Sequence, residues 1–235
     1  STNVTIVLQN ASNDNVEDLQ FDVPAHCTVH AVKCLIAEEW SMPALCQRLV
    51  IRGSVVPEDG AKISDFQDRG ARVEGVVEEH FEHLPEVAAH DSASVRLMVA
   101  RALEKVAVAH YDVALESLAL LLKDVDADVR MVAVDVIAGA SKQGHDPSIR
   151  LLLARVADHD PGVRTAACEA LYRLANRGHK VATKGIVEHT KHWRADVRRT
   201  AVQALGQVAG EGADAPIKAL CASLEDPDAE VRRVA

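Results

Sequence analysis

Two histidine pairs are the residues of this chain whose type and spacing come nearest to metal chemistry. His80 lies three residues before His83, and His189 three residues before His192, so each pair would share one face of a helix. A structural or catalytic metal site needs three or four converging ligands, and each pair provides two. Both pairs lie in polar sequence, which is typical of surface histidines. The sequence therefore predicts no metal site and no other cofactor.

Other common forms of site chemistry have no support in the sequence. The five cysteines are odd in number and lack Cys-x-x-Cys spacing. They predict reduced thiols in an intracellular, reducing compartment, with the cytoplasm favoured and organelle import left open. There is no glycine-rich phosphate loop or Gly-x-Ser-x-Gly motif, and no run of about 18 apolar residues that would span a membrane. We therefore expect a protein that is not an enzyme and has no membrane span.

A concentration of cations is the feature best suited to binding. Between residues 173 and 199 the only acidic residues are Glu188 and Asp196. We predict that this basic patch binds other proteins through an acidic surface, either of a partner or of the chain's own acidic N-terminal region. RNA is the alternative, with weaker support because the aromatic residues nearby are few. The eight cations of the basic patch are Arg173, Arg177, Lys180, Lys184, Lys191, Arg194, Arg198 and Arg199.

These cations must be positioned by a repeat. The dipeptide Val-Arg recurs every 34 residues without slippage, which indicates an internal repeat and a solenoid. The five copies, numbered one to five below, are marked by Val95-Arg96, Val129-Arg130, Val163-Arg164, Val197-Arg198 and Val231-Arg232.

Each copy has the pattern of two helices. Asp occurs four and six residues before most of these arginines, as at Asp124 and Asp126, and predicts the start of the first helix. Apolar residues then follow at steps of three and four. Gly144, Gly178 and Gly212, again 34 residues apart, predict the left-handed C-cap that ends this helix. A second apolar stripe follows, with Ile217, Leu220 and Leu224 as its members in copy four.

The second helix of copy three, predicted from Lys180 to His192, departs from this pattern. It has Thr183, Gly185, His189 and Thr190 where other copies keep small or apolar residues. Because no structural gain is evident from the sequence, these residues indicate a functional surface.

The motif Asp-x-Asp-x-x-Val-Arg, followed by Ala-x-x-Ala-Leu, resembles HEAT repeats over roughly residues 85–235. The closest likeness is to the short, alanine-rich kind found in phycobilin lyases and many scaffold proteins. The resemblance implies a polar ladder of Asp and Arg between adjacent copies. It therefore implies structural roles for Arg96, Arg130, Arg164 and Arg198.

The first 80 residues predict a different fold. Strands at 4–8 and 16–23, a helix capped by Thr28, and strands at 47–52 and 73–78 follow the β-grasp order. The segments Thr28–Lys33, Gln47–Val50 and Ile63–Phe66 resemble ubiquitin. Val77–Glu82 runs on where ubiquitin has its Gly-Gly tail, so we expect no conjugation through this tail.

Ubiquitin's hydrophobic patch would correspond to Val50 and Val76 here. Glu74 and Gly75 stand where ubiquitin has the histidine of that patch and a neighbouring leucine. The resemblance therefore implies a docking surface that is only partly kept.

The predicted fold class is an α+β β-grasp (ubiquitin-like) domain followed by an all-α solenoid of HEAT-like helix pairs. The domain bounds are 1–79, with a linker or capping segment at 80–90 and a solenoid at 91–235. The net charge of −9 is concentrated at the start, since residues 1–84 contribute −8. The sequence stops in the first turns of copy five, so we expect the natural chain to continue.

Three functions are compatible with this organisation. The favoured one is a non-enzymatic scaffold or adaptor that binds other proteins, as a subunit or assembly factor of a larger complex. The alternative is a ubiquitin-pathway adaptor that engages a receptor through its N-terminal domain. The second alternative is a lyase-like factor that attaches a chromophore or another prosthetic group.

Overall fold

The computed structural model describes residues 3–11, 17–40, 42–56, 59–66 and 72–235. The chain divides into two compact units, residues 1–84 and residues 85–235. The division falls inside the segment predicted as a linker at 80–90. A short helix, α2 (Leu84–Ala88), occupies part of this segment.

Unit 1 is a five-stranded sheet with one helix. The strands lie in the order β2-β1-β5-β3-β4. The central pair β1 and β5 is parallel and the other neighbours are antiparallel, which is the β-grasp topology. The elements are β1 (Asn3–Asn10), β2 (Leu19–Pro24), α1 (Val29–Glu39), β3 (Gln47–Ile51), β4 (Ser54–Val55) and β5 (Arg72–Glu79).

Alternating buried residues in the strands and an N-cap on the helix explain the local structure of unit 1. Val4, Ile6 and Leu8 are buried on one side of β1, as the period of two in a strand requires. Helix α1 begins after Thr28, whose Oγ1 accepts a hydrogen bond from the backbone N–H of Ala31 at 3.3 Å. This is the predicted N-cap, and it satisfies one of the free amides of the first turn.

Two details of unit 1 differ from the prediction. The prediction does not include strand β4, because a strand of two residues is too short to show an alternating apolar pattern. The turn before this strand places Arg52 and Gly53 in the left-handed region, with φ of 54° and 72°. The second strand begins at Leu19, whereas its predicted start, Val16, lies outside the described residues.

Unit 2 is a row of helix pairs. Copies one to four each contribute a first helix and a second helix, copy five contributes α11, and each first helix packs against the first helix of the next copy. The helices are α3 (Ala93–Ala109), α4 (Tyr111–Leu121), α5 (Ala127–Ala140), α6 (Asp146–Leu153), α7 (Pro161–Leu174), α8 (Lys180–His189), α9 (Ala195–Val208), α10 (Asp214–Ser223) and α11 (Ala229–Val234).

The predicted apolar stripe is buried in the first helices. In α5 the buried set includes Val129, Ala133 and Ile137. The small Ala in the middle of the stripe lets neighbouring helices approach closely. The same positions are buried 34 and 68 residues later, at Val163, Ala167, Leu171, Val197, Ala201 and Leu205.

The last second helix departs from its predicted stripe. Ile217 in α10 and Leu224 at its C-cap are 50% and 56% exposed, whereas the equivalent Ile149 and Val156 are fully buried. Helix α6 packs on α8, and α8 packs on α10. Among the described residues no further second helix packs on the stripe of α10 in the same way.

The repeated glycines adopt the predicted backbone conformation in a different place. Gly144 and Gly178 have φ of +77° and +80°. However, α5 ends at Ala140 and its C-cap, Ser141, is extended. Gly144 therefore lies in the turn that leads to α6, and the prediction of a C-cap was wrong. Its N–H donates to the carbonyl of Leu174 in the next copy at 2.8 Å, which links the turn to the neighbouring helix pair.

We expect opposite effects on stability from two alanine substitutions in copy two. A Cβ at Gly144 or at Gly139 would meet no atom within 4 Å, so neither substitution introduces a steric clash. Gly144→Ala must hold a left-handed residue and should lower the free energy of unfolding by about 1–2 kcal/mol. Gly139→Ala lies inside α5 and should raise it by up to about 1 kcal/mol. Urea unfolding followed by helical circular dichroism measures both, and a shared sign would contradict this account of the turn.

Candidate functional site

An arginine–aspartate ladder joins the turns that precede successive first helices. Arg130 shows one complete rung. Its Nη1 donates to the carbonyls of Asp124 and Val125 in its own turn, at 2.7 and 3.1 Å. Its Nε and Nη2 donate to the two oxygens of Asp158 in the next turn, at 2.9 and 2.8 Å. One planar guanidinium thus ties two consecutive copies together.

The same bidentate bond recurs in two other rungs. Arg96 donates to Asp124 through Nε and Nη2, and Arg198 donates to Asp226 through the same atoms, with both distances 2.8 Å in the second case. Each carboxylate also accepts the backbone N–H two residues later, as Asp124 does from Asp126 at 2.8 Å. These carboxylates are mostly buried and fully engaged.

The environment of the ladder favours the charged carboxylates. Burial alone raises the pKa of Asp124 and Asp158. Hydrogen bonds from the arginines and from backbone N–H groups outweigh burial, so both pKa values lie below the ordinary range. For Asp226 the hydrogen bond from Arg198 is the largest cause of a lowered pKa. The rungs are therefore ion pairs throughout the neutral range.

The rung between copies three and four is incomplete. Arg164 keeps its bonds to the carbonyls of Asp158 and His159, at 2.9 and 3.0 Å. The aspartate expected in the next turn is replaced by His192. The Nε atom of Arg164 is buried and has no hydrogen-bond partner among the described residues. Arg164 therefore lacks the bidentate carboxylate that the other three rungs have.

A single carboxylate compensates in part by serving two arginines. Oδ2 of Asp196 lies 3.0 Å from Nη2 of Arg164. The same carboxylate accepts from Nε and Nη2 of Arg194, at 3.1 and 2.6 Å. Burial raises the pKa of Asp196, but the hydrogen bond from Arg194 and the charge of Arg164 bring it below the ordinary range. We call Arg164, His192, Arg194 and Asp196 the incomplete rung.

His192 keeps one function of the aspartate that it replaces. Its Nδ1 accepts the backbone N–H of Arg194 at 3.2 Å, as the aspartates do in their own turns. Accepting this bond requires an unprotonated Nδ1. The ring lies 5.6 Å from that of Trp193, centroid to centroid. The side chain of Trp193 itself is 82% exposed.

The structure distributes the predicted basic patch over several places. Lys180 and Lys184 line a groove of about 380 Å³ between α6 and α8, together with Arg150. Arg199 lines a groove of about 440 Å³ between α7 and α9 with Arg164. Arg173, Arg177 and Lys191 are exposed at helix ends and turns, while Arg194 and Arg198 are already paired with Asp196 and Asp226.

Two of the irregular residues of α8, Gly185 and His189, have a structural role. A Cβ at Gly185 would lie 2.5 Å from a methyl carbon of Leu153, so glycine makes room for this side chain from α6. His189 donates through Nε2 to the carbonyl of the same Leu153 at 3.0 Å. Burial is the largest cause that lowers the pKa of His189, consistent with a neutral donor. The sequence offers no structural reason for these two residues, and the contact between α6 and α8 provides one.

The β-grasp unit presents a second candidate surface. Val50 and Val76 face each other across β3 and β5, and both are half-buried. They line a groove of about 400 Å³ with Val7 and Gly75. Charged residues surround this short apolar row. They are Asp18, Arg52, Arg72 and Glu74.

The histidine pairs are engaged with neighbouring side chains. The rings of His80 and His83 stack with centroids 4.6 Å apart. In the described ranges, no three His, Cys, Asp or Glu side chains are grouped as metal ligands. The helices that the structure describes include none with the length and apolar character required to cross a membrane.

Sequence reasoning missed the role of Asp196. Its periodic equivalents are Ser94, Asp128, Gly162 and Glu230, which share no residue type that would predict it. The signal that was available is the joint replacement of two periodic aspartates by His192 and Arg194. This replacement leaves Arg164 and Arg194 in need of one acid.

Residues 115–188 match the family model of HEAT repeats. This segment runs from the second helix of copy one to the second helix of copy three. No curated protein sequence matches the chain significantly. With the observed helix pairs, unit 2 is a solenoid of HEAT-type repeats, and the strand order makes unit 1 a ubiquitin-like β-grasp domain.

Solved structures are similar to parts of the chain. Ubiquitin from Caldiarchaeum subterraneum is 19% identical, with 33% of this chain and 94% of that chain covered at a TM-score of 0.30. The complex of CpcE and CpcF of phycocyanin lyase from Nostoc sp. PCC7120 is 18% identical, with 66% and 94% covered at a TM-score of 0.42. A computationally designed armadillo repeat protein for modular peptide recognition is 20% identical, with 64% and 77% covered at a TM-score of 0.40.

Breaking a complete rung should destabilise the solenoid strongly. Arg130→Met leaves the buried carboxylate of Asp158 with Nη1 of Arg155 at 3.3 Å and the backbone N–H of Asp160 at 3.0 Å, and should lower the free energy of unfolding by about 3 kcal/mol. Arg150→Met, on the exposed face of α6, is the matched control and should change it by no more than about 0.5 kcal/mol. Equal losses in urea unfolding would show that the ladder adds nothing beyond a surface arginine.

The ladder also predicts acid sensitivity. The folded-state pKa values of Asp124, Asp158 and Asp226 are lowered from an ordinary value of about 3.9, so the unfolded chain binds more protons near that pH. Their contribution to stability is complete above about pH 5 and is lost as the pH falls through about 4 and below. The urea midpoint should fall over this interval, and less steeply in Asp158→Asn. A constant midpoint in the wild type would refute this prediction.

Proposed function

We propose that the protein is a non-enzymatic scaffold or adaptor that binds other proteins through its solenoid. It would act as a subunit or assembly factor of a larger complex. The proposal rests on one observation. The helix pairs repeat regularly, while the grooves between successive copies are lined by different side chains. Recognition surfaces of repeat proteins arise in this way, because stacking fixes the backbone and leaves outward side chains free to vary.

The three grooves differ in chemistry. The groove between α3 and α5 is mainly apolar, with Val108, Val132 and Val136 among its lining residues and a volume of about 330 Å³. The groove between α6 and α8 is basic, through Arg150 and Lys184. The groove between α7 and α9 combines arginines with threonine and glutamine side chains. Such variety suits an extended protein partner better than one small molecule.

The β-grasp unit would supply a second docking face. The short row of Val50 and Val76 supports the ubiquitin-pathway alternative, in which a receptor binds this face. The charged residues around the row leave a small apolar area compared with a stable interface. The scaffold proposal therefore rests on unit 2. Binding of a ubiquitin receptor to unit 1 is one possible result of the experiment that tests the proposal.

Purification of the tagged full chain from its source organism, with crosslinking mass spectrometry, tests the proposal. We expect stoichiometric protein partners crosslinked to unit 2. A double variant, Lys180→Glu with Lys184→Glu, should reduce their recovery severalfold. The matched control is Lys105→Glu with Lys142→Glu, two exposed lysines outside the basic groove.

Three outcomes would redirect the proposal. Recovery of the protein alone would contradict a scaffold. Ubiquitin-receptor partners that are lost on Val50→Asp would favour the receptor alternative. A covalently attached or copurifying chromophore would favour the lyase-like factor, which no feature of the described residues specifically supports.

A further inference from the structure

The turn before α9 has a charge opposite to that of the turns before α5, α7 and α11. Asp124 and Asp126 of copy two correspond to His192 and Arg194, so the formal charge of these two positions changes from −2 to +1. The array nevertheless keeps its regular helix pairs at this turn. The replacement therefore alters the surface without interrupting the solenoid.

The incomplete rung is short of one acceptor. The side chain of Arg164 is 6% exposed, and its Nε has no hydrogen-bond partner among the described residues. In the complete rungs, Nε and Nη2 of the arginine share one carboxylate, whereas here Asp196 is divided between Arg164 and Arg194. Buried unsatisfied N–H groups of charged side chains are costly, so an added carboxylate would be bound favourably.

One arginine of the incomplete rung also lines a surface groove. Arg164 contributes to the groove between α7 and α9, together with Arg199, Thr200 and Gln203, which offer further donors. Arg194, the other arginine that shares Asp196, is also in part accessible. Beside it the indole of Trp193 is almost fully exposed. Exposed tryptophan next to arginine is typical of the residues that dominate protein interfaces.

We propose that the incomplete rung binds an acidic segment of a partner protein. This inference rests on the proposed scaffold function and names the partner chemistry. A glutamate or aspartate side chain accepts hydrogen bonds from Arg194 and, from the groove, Arg164. An apolar side chain next to the acid packs on Trp193.

A carboxylate fits this site better than the phosphates of RNA. The donors of Arg164 match one carboxylate, because the equivalent donors of Arg96, Arg130 and Arg198 each bind one. Glu169 lines the same groove and Asp196 lies at its rung. Both repel any incoming anion, and the repulsion is weaker for one carboxylate than for a run of phosphates, each of which has its own charge. Trp193 provides one stacking surface, whereas single strands are usually held on several.

The test measures binding of a fluorescein-labelled hexapeptide, with two adjacent glutamates flanked by leucines, to the full chain by fluorescence anisotropy. We expect saturable binding that is lost when glutamines replace the glutamates. His192→Asp supplies the missing carboxylate from within the chain and should weaken binding by about tenfold or more. The control Val125→Asp adds the same charge to a turn at a complete rung, on a side chain that is 92% exposed, and should leave the affinity unchanged within about twofold.

The outcomes separate this inference from the scaffold proposal. His192→Asp introduces the residue that three equivalent turns contain, so its melting temperature should be unchanged or raised, and a lower one would contradict the rung as described. Absent binding, or equal weakening by both variants, would overturn the inference. Equal affinity for a labelled hexauridylate that is likewise lost in His192→Asp would assign the site to phosphates. In each of these cases the copurified partners of the full chain would still decide whether the protein is a scaffold.

Discussion

The bidentate bond between an arginine and the aspartate of the next turn is the constraint on which unit 2 depends. In each of the three complete rungs the arginine reaches the carbonyls five and six residues before it and a carboxylate 28 residues after it, as Arg130 does with Asp158. Because that carboxylate lies six residues before the next arginine, the two spacings together fix the repeat at 34. An inserted residue would move the carboxylate out of the plane of the guanidinium. The regular period is therefore a consequence of hydrogen-bond geometry.

The incomplete rung shows how much this constraint can be relaxed. Arg164 loses the carboxylate expected at position 192 but keeps both carbonyl bonds, and Asp196 approaches its Nη2. In a solenoid each copy contacts only its neighbours, so the cost of one altered rung stays local. A repeat array can therefore change one turn for binding while the remaining rungs hold the fold.

The 34-residue period made the architecture of unit 2 predictable from the sequence. Features that depend on contacts between copies could not be predicted in this way. The N-cap at Thr28 and the buried stripe from Val129 follow from local rules that hold in the structure. Gly144 was predicted as a C-cap because a left-handed glycine ends many helices. Its N–H instead bonds Leu174, thirty residues away, and no local rule contains that partner.

The same limit applies to the candidate site. The sequence identifies an excess of cations but not their pairing. Arg194 and Arg198 are engaged with Asp196 and Asp226, while Lys180 and Lys184 face another groove. Gly185 and His189 appeared irregular because their common partner, Leu153, belongs to the preceding copy. A one-dimensional pattern shows that a residue departs from its equivalents, and only the packing shows which contact the departure serves.

The bond that builds the ladder is also the bond that the incomplete rung offers to a partner. Its guanidinium groups are already held by carbonyls and by Asp196, so binding an acid orders little additional side chain. Against this, a carboxylate must leave water to enter a partly buried site, which offsets much of the attraction between the charges. A single rung therefore provides specificity with modest affinity. Strong association would require the neighbouring grooves to be occupied by the same partner, since linked contacts raise the effective concentration at each one.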